Sequence, residues 1–537
     1  MAEPPARPPQ HATQLEGSDS RGRDLVETAL VFLVFFVQGA WPVPDVNEPY
    51  YLGKAIHYWN PEWAAGDFFL ESPDAHQVFY FTVGWLSLLL SPWVFAWAAR
   101  LAAWGLLAWS WRRLSAAVLP GYGWAVLSAA LLVGLMERCH MAGEWVVGGV
   151  EGKSFAYAFV LLALEALVRA RWNRCFLLLG IASSLHVLVG GWSVLAAAVA
   201  WWASAPQRPK LRTILPGLGA GAVLALPGLL PVLLLDVGAD RAMLRAAHEI
   251  YVYIRLPHHL VISLIPWHFI FRFAVLTAFW AVLWRYTKDR LGERCARLNW
   301  FVFAAVGIAL TGALLTPLEF MDRALSAALL RFYWYRLSDF AVPMGVALVG
   351  LSAIAELGRR RPAAARWCLA AAVAAAVLHV GAHAVHRPFP QPPPAFRMSR
   401  RPHMLTHHRN DFLAWRDVCE FVAASPDVEP DAVFLTDRMA QTFKWYSGRP
   451  EAGNWKEIPQ DAEGLVQWWH RMKHLHARPD AAPGEFWYGA LAQQPPDRLR
   501  HLGKRYGARY VITFARPSLP LPVEYRNRVY AVYRLDE

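Results

Sequence analysis

Charge is scarce in this chain. Asp, Glu, Lys and Arg make up 18% of its 537 residues, where a soluble domain carries about 25%. That shortfall excludes an ordinary water-soluble globule. Cysteine is scarce too: Cys139, Cys175, Cys295, Cys368 and Cys419 are scattered with no CxxC pair, which excludes a disulfide framework and a zinc knuckle. No internal repeat is visible, and ionisable residues do not collect in broken apolar segments, so the marks of a transporter are missing. No small-residue cleavage site follows the first apolar segment, Leu25 to Trp41, which reads as an uncleaved signal anchor.

What is abundant is apolar. Hydrophobic residues reach 56%, with 27 Trp, and they come in blocks of roughly 15–25 residues, the length that crosses a ~30 Å hydrocarbon layer. The expected spans are Leu25–Trp41, Val78–Ala99, Leu114–Met136, Ser154–Val168, Cys175–Leu188, Val189–Ala203, Thr213–Leu235, Phe269–Trp284, Leu298–Thr316, Ser338–Ile354 and Trp367–Ala384, about eleven in all. Leu101–Trp111 is apolar as well and is expected at the cytoplasmic interface, because a further crossing would put Arg112 and Arg113 outside.

The net charge of +12 does not signal nucleic acid. Its cations sit in short loops between apolar blocks: Arg112 and Arg113, Arg169 to Arg174, Arg208 to Arg212, Arg285 to Arg297, Arg359 to Arg361. That is the positive-inside pattern, and no basic stripe with interleaved aromatics accompanies it. The expected topology is a multi-pass protein of the inner membrane with a cytoplasmic N-terminus and the C-terminal domain outside. Residues 1–24 read as a disordered cytoplasmic tail, 25–386 as the membrane domain, 387–410 as a Pro-rich linker containing Pro388–Pro394, and 411–537 as a small α/β domain. In the last, Asp411–Ala424 and the stretches around Trp468 and Leu502 are expected as helices, and Ala432–Thr436, Arg509–Phe514 and Arg528–Leu535 as strands.

The first outer loop, residues 42–77, stands apart. It holds Asp45, Glu48, Glu62, Asp67, Glu71 and Asp74 against Lys54, among Tyr50, Tyr51, Trp59, Trp63, Phe68 and Phe69. Carboxylates accept hydroxyl protons and aromatic rings pack on sugar faces, so this composition suits a carbohydrate. The bland alternative is an acidic outer loop that merely complements the basic inner ones. Asp45 lies just past the first span, after Trp41-Pro42-Val43-Pro44, where burial can tune its acidity.

The loop opening PDVNEPYYLGKA (Pro44 to Ala55), followed by many spans and an outer domain, resembles the GT-C superfamily of membrane glycosyltransferases. That group includes protein O-mannosyltransferases, aminoarabinose transferases and oligosaccharyltransferase catalytic subunits. Many relatives carry adjacent Asp-Glu, whereas Val46 and Asn47 separate Asp45 from Glu48 here. The chain is also similar to an uncharacterised bacterial group of such proteins, through GGVEGKSFAYAF (Gly148 to Phe159), HVLVGGW (His186 to Trp192), RLPHHL (Arg255 to Leu260) and TFKWYSGRPEAGNWKEIPQDA (Thr442 to Ala462).

The resemblance implies an all-α polytopic fold and transfer of a sugar from a polyprenyl-phosphate donor to a glycan, lipid or protein acceptor, with inversion. It implies Asp45 as base, supported by Glu48, with Asp67, Asp74 and His76 near the acceptor. The donor phosphate would meet Lys153, Arg255, His258, His259, Arg331 and Arg336. The alternatives are that Arg331 and Arg336 snorkel, that Lys153 pairs with Glu151 and that the histidines are structural. In the oligosaccharyltransferase branch loop carboxylates bind a divalent cation, which leaves open such a role for Asp45, Asp67 and His76. His470 and His474, at i,i+4 with His476 nearby, have no HExxH frame and read as solvated. A non-catalytic lipid- or glycan-binding scaffold and a transporter are the competing functions.

Overall fold

The computed structural model describes residues 10–119, 121–205, 207–386, 391–397, 409–479 and 486–535. The protein is a multi-pass membrane protein, largely helical, with one small C-terminal sheet.

The chain enters the bundle along α1 (Gln10–Gly39), then forms α2 (Glu48–Trp59) and α3 (Gln77–Val83) in the first loop region. The bundle continues through α4 (Pro92–Val118), α5 (Trp124–Cys139), α6 (Gly152–Val168), α7 (Trp172–Leu185), α8 (Val187–Ala203) and α9 (Leu211–Leu234). Two short helices, α10 (Arg241–Glu249) and α11 (Pro257–Leu260), precede α12 (Trp267–Thr287) and α13 (Glu293–Leu315). Helix α14 (Arg323–Leu330) leads to α15 (Arg336–Arg360) and α16 (Pro362–His386). The segments Leu211–Leu234, Trp267–Thr287, Glu293–Phe320, Arg336–Arg360 and Pro362–His386 are each long and apolar enough to cross a membrane.

Two expectations are corrected. The span expected at Val78–Ala99 does not form: α3 ends at Val83, a 3-10 turn covers Gly84–Leu88, and the long helix starts at Pro92. Proline suits that first helical turn because its missing N–H would have had no helical partner. Leu101–Trp111 accordingly lies in the middle of α4, with Trp104, Leu107 and Trp111 fully buried, rather than at an interface. Helix α1 begins at Gln10; residues 1–9 lie outside the described residues.

Helix α6 is buried along nearly its whole length, with α4, α7, α8 and α13 around it. On α9, Gly217, Gly221 and Gly228 lie so close to α7 that a Cβ at 221 would stand 2.4 Å from the Phe176 carbonyl oxygen. Small residues at such a crossing let two backbones meet, which is how helices pack without hydrophobic drive in lipid.

The Pro-rich segment is partly docked. Helical turn α17 (Pro394–Arg397) puts the Ala395 N–H 3.3 Å from the Pro44 carbonyl, and Gln441 donates to the Ala395 carbonyl at 2.7 Å. Residues 387–390 and 398–408 of the expected linker lie outside the described residues. The C-terminal domain then runs through α18 (Arg409–Ala424), β1 (Val433–Thr436), α19 (Phe443–Ser447), α20 (Ala462–His476), α21 (Pro496–Tyr506), β2 (Ala508–Phe514), β3 (Val523–Arg526) and β4 (Tyr530–Arg534). The sheet order is β1-β2-β4-β3, with β1 parallel to β2 and the other pairs antiparallel. Strand β3, VEYR, escapes the sequence pattern because it is a short, charged edge strand. Alternate β2 residues serve two cores. Tyr510 and Ile512 face α18, while Val511 joins a cluster with Trp468 and Met472 that also takes in Tyr50, Phe69 and Leu70 of the first loop. The domain and the acidic loop therefore share one hydrophobic core.

Candidate functional site

Asp45 opens the site. Its Oδ1 accepts from the Val46 N–H at 2.7 Å and its Oδ2 from the Gly149 N–H at 2.8 Å. A Cβ at position 149 would fall 2.6 Å from the Asp45 Cβ, so only glycine permits this approach. Burial, and next the charge of Glu48, raise the pKa of Asp45, with Arg100 opposing them. Such a carboxylate is a stronger base than a solvated one.

Glu48 is fully buried and fully engaged. Arg100 donates to both its oxygens, Nε to Oε1 at 2.6 Å and Nη2 to Oε2 at 2.7 Å, while the Asp45 and Val150 N–H groups donate at 2.7 and 3.1 Å. Arg100 went unnoticed in the sequence because it stands alone in an apolar run.

Between the first loop, the bundle and the C-terminal domain lies a cavity of about 750 Å³, which Asn47 of the Asp45 loop lines but Asp45 and Glu48 do not. Its polar wall takes His76, Lys153, Arg255, His259, Arg331 and Arg336 from the residues singled out in the sequence. Lysine 456, in the loop between α19 and α20, adds a further cation. Its apolar wall is built by Leu229, Val232 and Leu233 of α9 with Leu185 and Leu188, and on the same helix Leu230 and Leu234 face outward.

The cations are not equivalent. Glu144 stands 3.3 Å from Lys153 and 3.1 Å from Arg336, and Glu151 is 3.4 Å from Lys153, whose ammonium also lies 4.1 Å from the Trp145 ring centre. Arg336 donates to His186 Nε2 at 3.1 Å. Arg331 donates to His248 Nε2 at 2.6 Å and lies 3.8 Å from Asp236; burial and then Arg331 hold His248 near about 4, neutral and able to accept. Arg255 differs: its Nη2 donates to the Lys456 carbonyl at 3.3 Å, its Nε is buried with no hydrogen-bond partner, and among the described residues it has no carboxylate in salt-bridge range. Lys456 has none either, and burial followed by the Arg255 charge lowers it to about 8. Glu144, Glu151, Asp236 and Asp461 line the same cavity, but among the described residues none is in salt-bridge range of Arg255 or Lys456.

The remaining sequence candidates lie elsewhere. His258 stacks on His259, ring centres 4.1 Å apart, and does not line the cavity; His259 donates from Nδ1 to the Ala142 carbonyl at 2.5 Å, with burial and then His258 bringing it to about 3. His76 packs between Tyr51 and His186. Asp74 accepts the His76 N–H at 2.7 Å. Asp67 turns away from the cavity: it sits 3.0 Å from Lys444, which also binds Glu451 at 2.9 Å and contacts Glu457, all buried. Asp45, Asp67 and His76 are thus not brought together as a cation site. His470 and His474 are exposed. Trp455 packs on Trp468 and Trp487.

A family model described as a domain of unknown function, DUF6798, matches residues 414–475. No curated protein matches the chain. Among solved structures, ArnT from Cupriavidus metallidurans bound to undecaprenyl phosphate is similar at 13% identity and a TM-score of 0.48, over 95% of this chain and 98% of that one.

Proposed function

We propose that the protein is a membrane glycosyltransferase that moves a sugar from a polyprenyl-phosphate donor to an acceptor at the outer face of the inner membrane. Arg255 and Lys456 carry the proposal: two cations that among the described residues have no carboxylate in salt-bridge range, in a cavity whose other wall is the lipid-facing helix α9. A phosphate headed by a sugar and tailed by an isoprenoid has that same division of polar and apolar ends. Arg336, Lys153 and Arg331 complete the polar wall, and positioned cations stabilise a phosphate as it leaves.

In the proposed reaction an acceptor hydroxyl or amine attacks the anomeric carbon, and its proton passes to an oxygen of Asp45. The bond from that carbon to the phosphate oxygen breaks on the opposite face, and the lipid phosphate keeps the electron pair. The arrangement of spans and acidic first loop shared with the GT-C superfamily agrees with this chemistry. Glu48, saturated by Arg100 and two backbone N–H groups, would position the Asp45 loop rather than touch the acceptor.

A non-catalytic lipid-binding scaffold is the second reading, favoured by the two backbone N–H groups that already occupy the Asp45 carboxylate. Purified protein in nanodiscs, offered radiolabelled polyprenyl-phosphate sugars and a cell-envelope acceptor extract, separates the two. Labelled acceptor supports transfer; saturable donor binding with no product over many hours supports the scaffold.

A further inference from the structure

Away from the cavity, two bundle helices bring together side chains suited to a metal. Glu137 of α5 and His379 and His383 of α16 each place one ligand atom within 4.8 Å of the others. His383 Nε2 and Glu137 Oε2 are 3.0 Å apart. The two histidines are spaced i,i+4, one helical turn apart on one face, the spacing that lets a helix chelate a transition metal.

The surroundings orient these ligands. Gln38 of α1 donates from Nε2 to Glu137 Oε2 at 2.7 Å, and its Oε1 lies 2.9 Å from His379 Nε2. A proton on His379 Nε2 satisfies that contact and leaves the lone pair on Nδ1. That nitrogen is buried with no hydrogen-bond partner, in a residue only 5% exposed. His383 Nδ1 lies 3.2 Å from the His379 carbonyl. Donation there puts the His383 lone pair on Nε2, facing a carboxylate oxygen. Two lone pairs at that distance repel unless a proton or a cation lies between them. Helix α5 also makes room: a Cβ at Gly134 would come within 3.2 Å of the His379 ring.

We propose that Glu137, His379 and His383 bind a divalent transition metal of the zinc class. Two imidazole nitrogens and one carboxylate oxygen form a borderline donor set, and Gln38 holds the carboxylate as an outer-shell partner. Bonds of about 2.0–2.1 Å around a tetrahedral ion set ligand atoms roughly 3.3 Å apart, so small side-chain rotations close the site. The ion ties α1, α5 and α16 at the end where α1 runs out toward Trp41 and Asp45. The His383 ring packs edge-on against Trp41, 6.5 Å between centres, and the Trp41 carbonyl is a hydrogen-bond partner of Arg100. The metal therefore braces the exit of the acidic loop and takes no part in the transfer step.

The test is metal content of the purified full-length protein in detergent, stripped with a chelator and reloaded with Zn²⁺ or Co²⁺. The wild type is expected to hold about one ion per chain, with Co²⁺ giving low-symmetry d–d bands, and His379→Gln with His383→Gln to lose at least ~10-fold in affinity. A second variant, His470→Gln with His474→Gln, removes the exposed i,i+4 pair on α20 and is expected to retain the ion, as judged alongside melting temperature. Wild-type protein that takes up no Co²⁺, or loses it only with the His470/His474 change, overturns the assignment. Because the wild-type cobalt spectrum is itself a readout, failure of the first variant to fold does not rescue the proposal.

Discussion

Arg100 and Glu48 form a two-bond ion pair, Nε to Oε1 and Nη2 to Oε2, in a place where neither side chain touches solvent. The pair joins α4 to the start of α2, and Glu48 in turn accepts the Asp45 N–H. Removing one partner leaves the other charge buried and alone, which costs ~3–5 kcal/mol. Arg100→Met is therefore expected to lower the melting temperature in detergent more than Asp45→Asn does. The double change Arg100→Met with Glu48→Leu should recover part of that loss, because no charge is then stranded. Equal melting temperatures for wild type and Arg100→Met would refute the pairing.

Lys444 plays the corresponding role at the contact between loop and C-terminal domain. It is the cation among Asp67, Glu451 and Glu457, and burial raises the pKa of Glu457. Lys444→Met leaves three buried acids without compensation, so a loss of ~3–5 kcal/mol is expected. Limited proteolysis should then release a C-terminal fragment that the wild type protects. An unchanged digestion pattern and melting curve would show that the domain does not depend on this cluster.

The cavity cations predict a pH dependence. Lys456 titrates near about 8 because burial and the Arg255 charge disfavour its ammonium. Protonated Lys456 attracts phosphate and the neutral amine does not, so donor affinity should be full below about 8 and fall as pH rises through it. Lys456→Arg, whose guanidinium stays charged, should move that fall upward. Isothermal titration with a short-chain polyprenyl-phosphate sugar across the pH range measures it; an affinity unchanged between pH 7 and 9.5 would contradict the assignment.

Arg331→Ala and Arg255→Ala are expected to weaken donor binding by ~10–100-fold, the loss of one charge-assisted hydrogen bond of ~1.5–3 kcal/mol. Arg255→Ala should be the more damaging, since Arg331 already has His248 and Asp236 as partners. The reverse order would place the phosphate at the other end of the cavity.

Orientation is open to labelling. With native cysteines removed, Glu463→Cys should react with an impermeant thiol reagent from outside intact spheroplasts and Arg171→Cys should not, both positions being exposed. Opposite reactivity would invert the topology.

Much of this was legible in the chain. The run of apolar blocks, the strands at Val433–Thr436, Ala508–Phe514 and Tyr530–Arg534, and the acidic loop stand out because each is a local pattern. Lys153, Arg255, Arg331 and Arg336 could be gathered in advance because each sits near a helix end, and helix ends at one face of a bundle converge. What escaped depends on distant partners. Asp67 looks like an acceptor-binding acid until Lys444, far along the chain, closes over it. Arg100 hides in an apolar run that hydropathy reads as featureless, and the same averaging misplaced Leu101–Trp111 at an interface. Lys456 is one cation among many in the C-terminal domain, and only the folded chain brings it to the cavity. The His379/His383 pair ends a transmembrane stretch, and its third ligand comes from another helix.

The central claim is that Asp45 is the base of a transfer reaction. Its burial beside Glu48 raises its pKa, so the acid limb of the activity profile should lie above that of an ordinary aspartate. Asp45→Asn keeps the shape and still accepts a hydrogen bond, but cannot take a proton. The decisive measurement is sugar transfer from the native lipid-linked donor by wild type and Asp45→Asn in nanodiscs, with donor affinity and melting temperature taken on the same preparations. Turnover reduced by at least ~10²-fold with donor affinity and stability retained is the predicted result. Near-normal turnover by a well-folded Asp45→Asn protein would contradict the account.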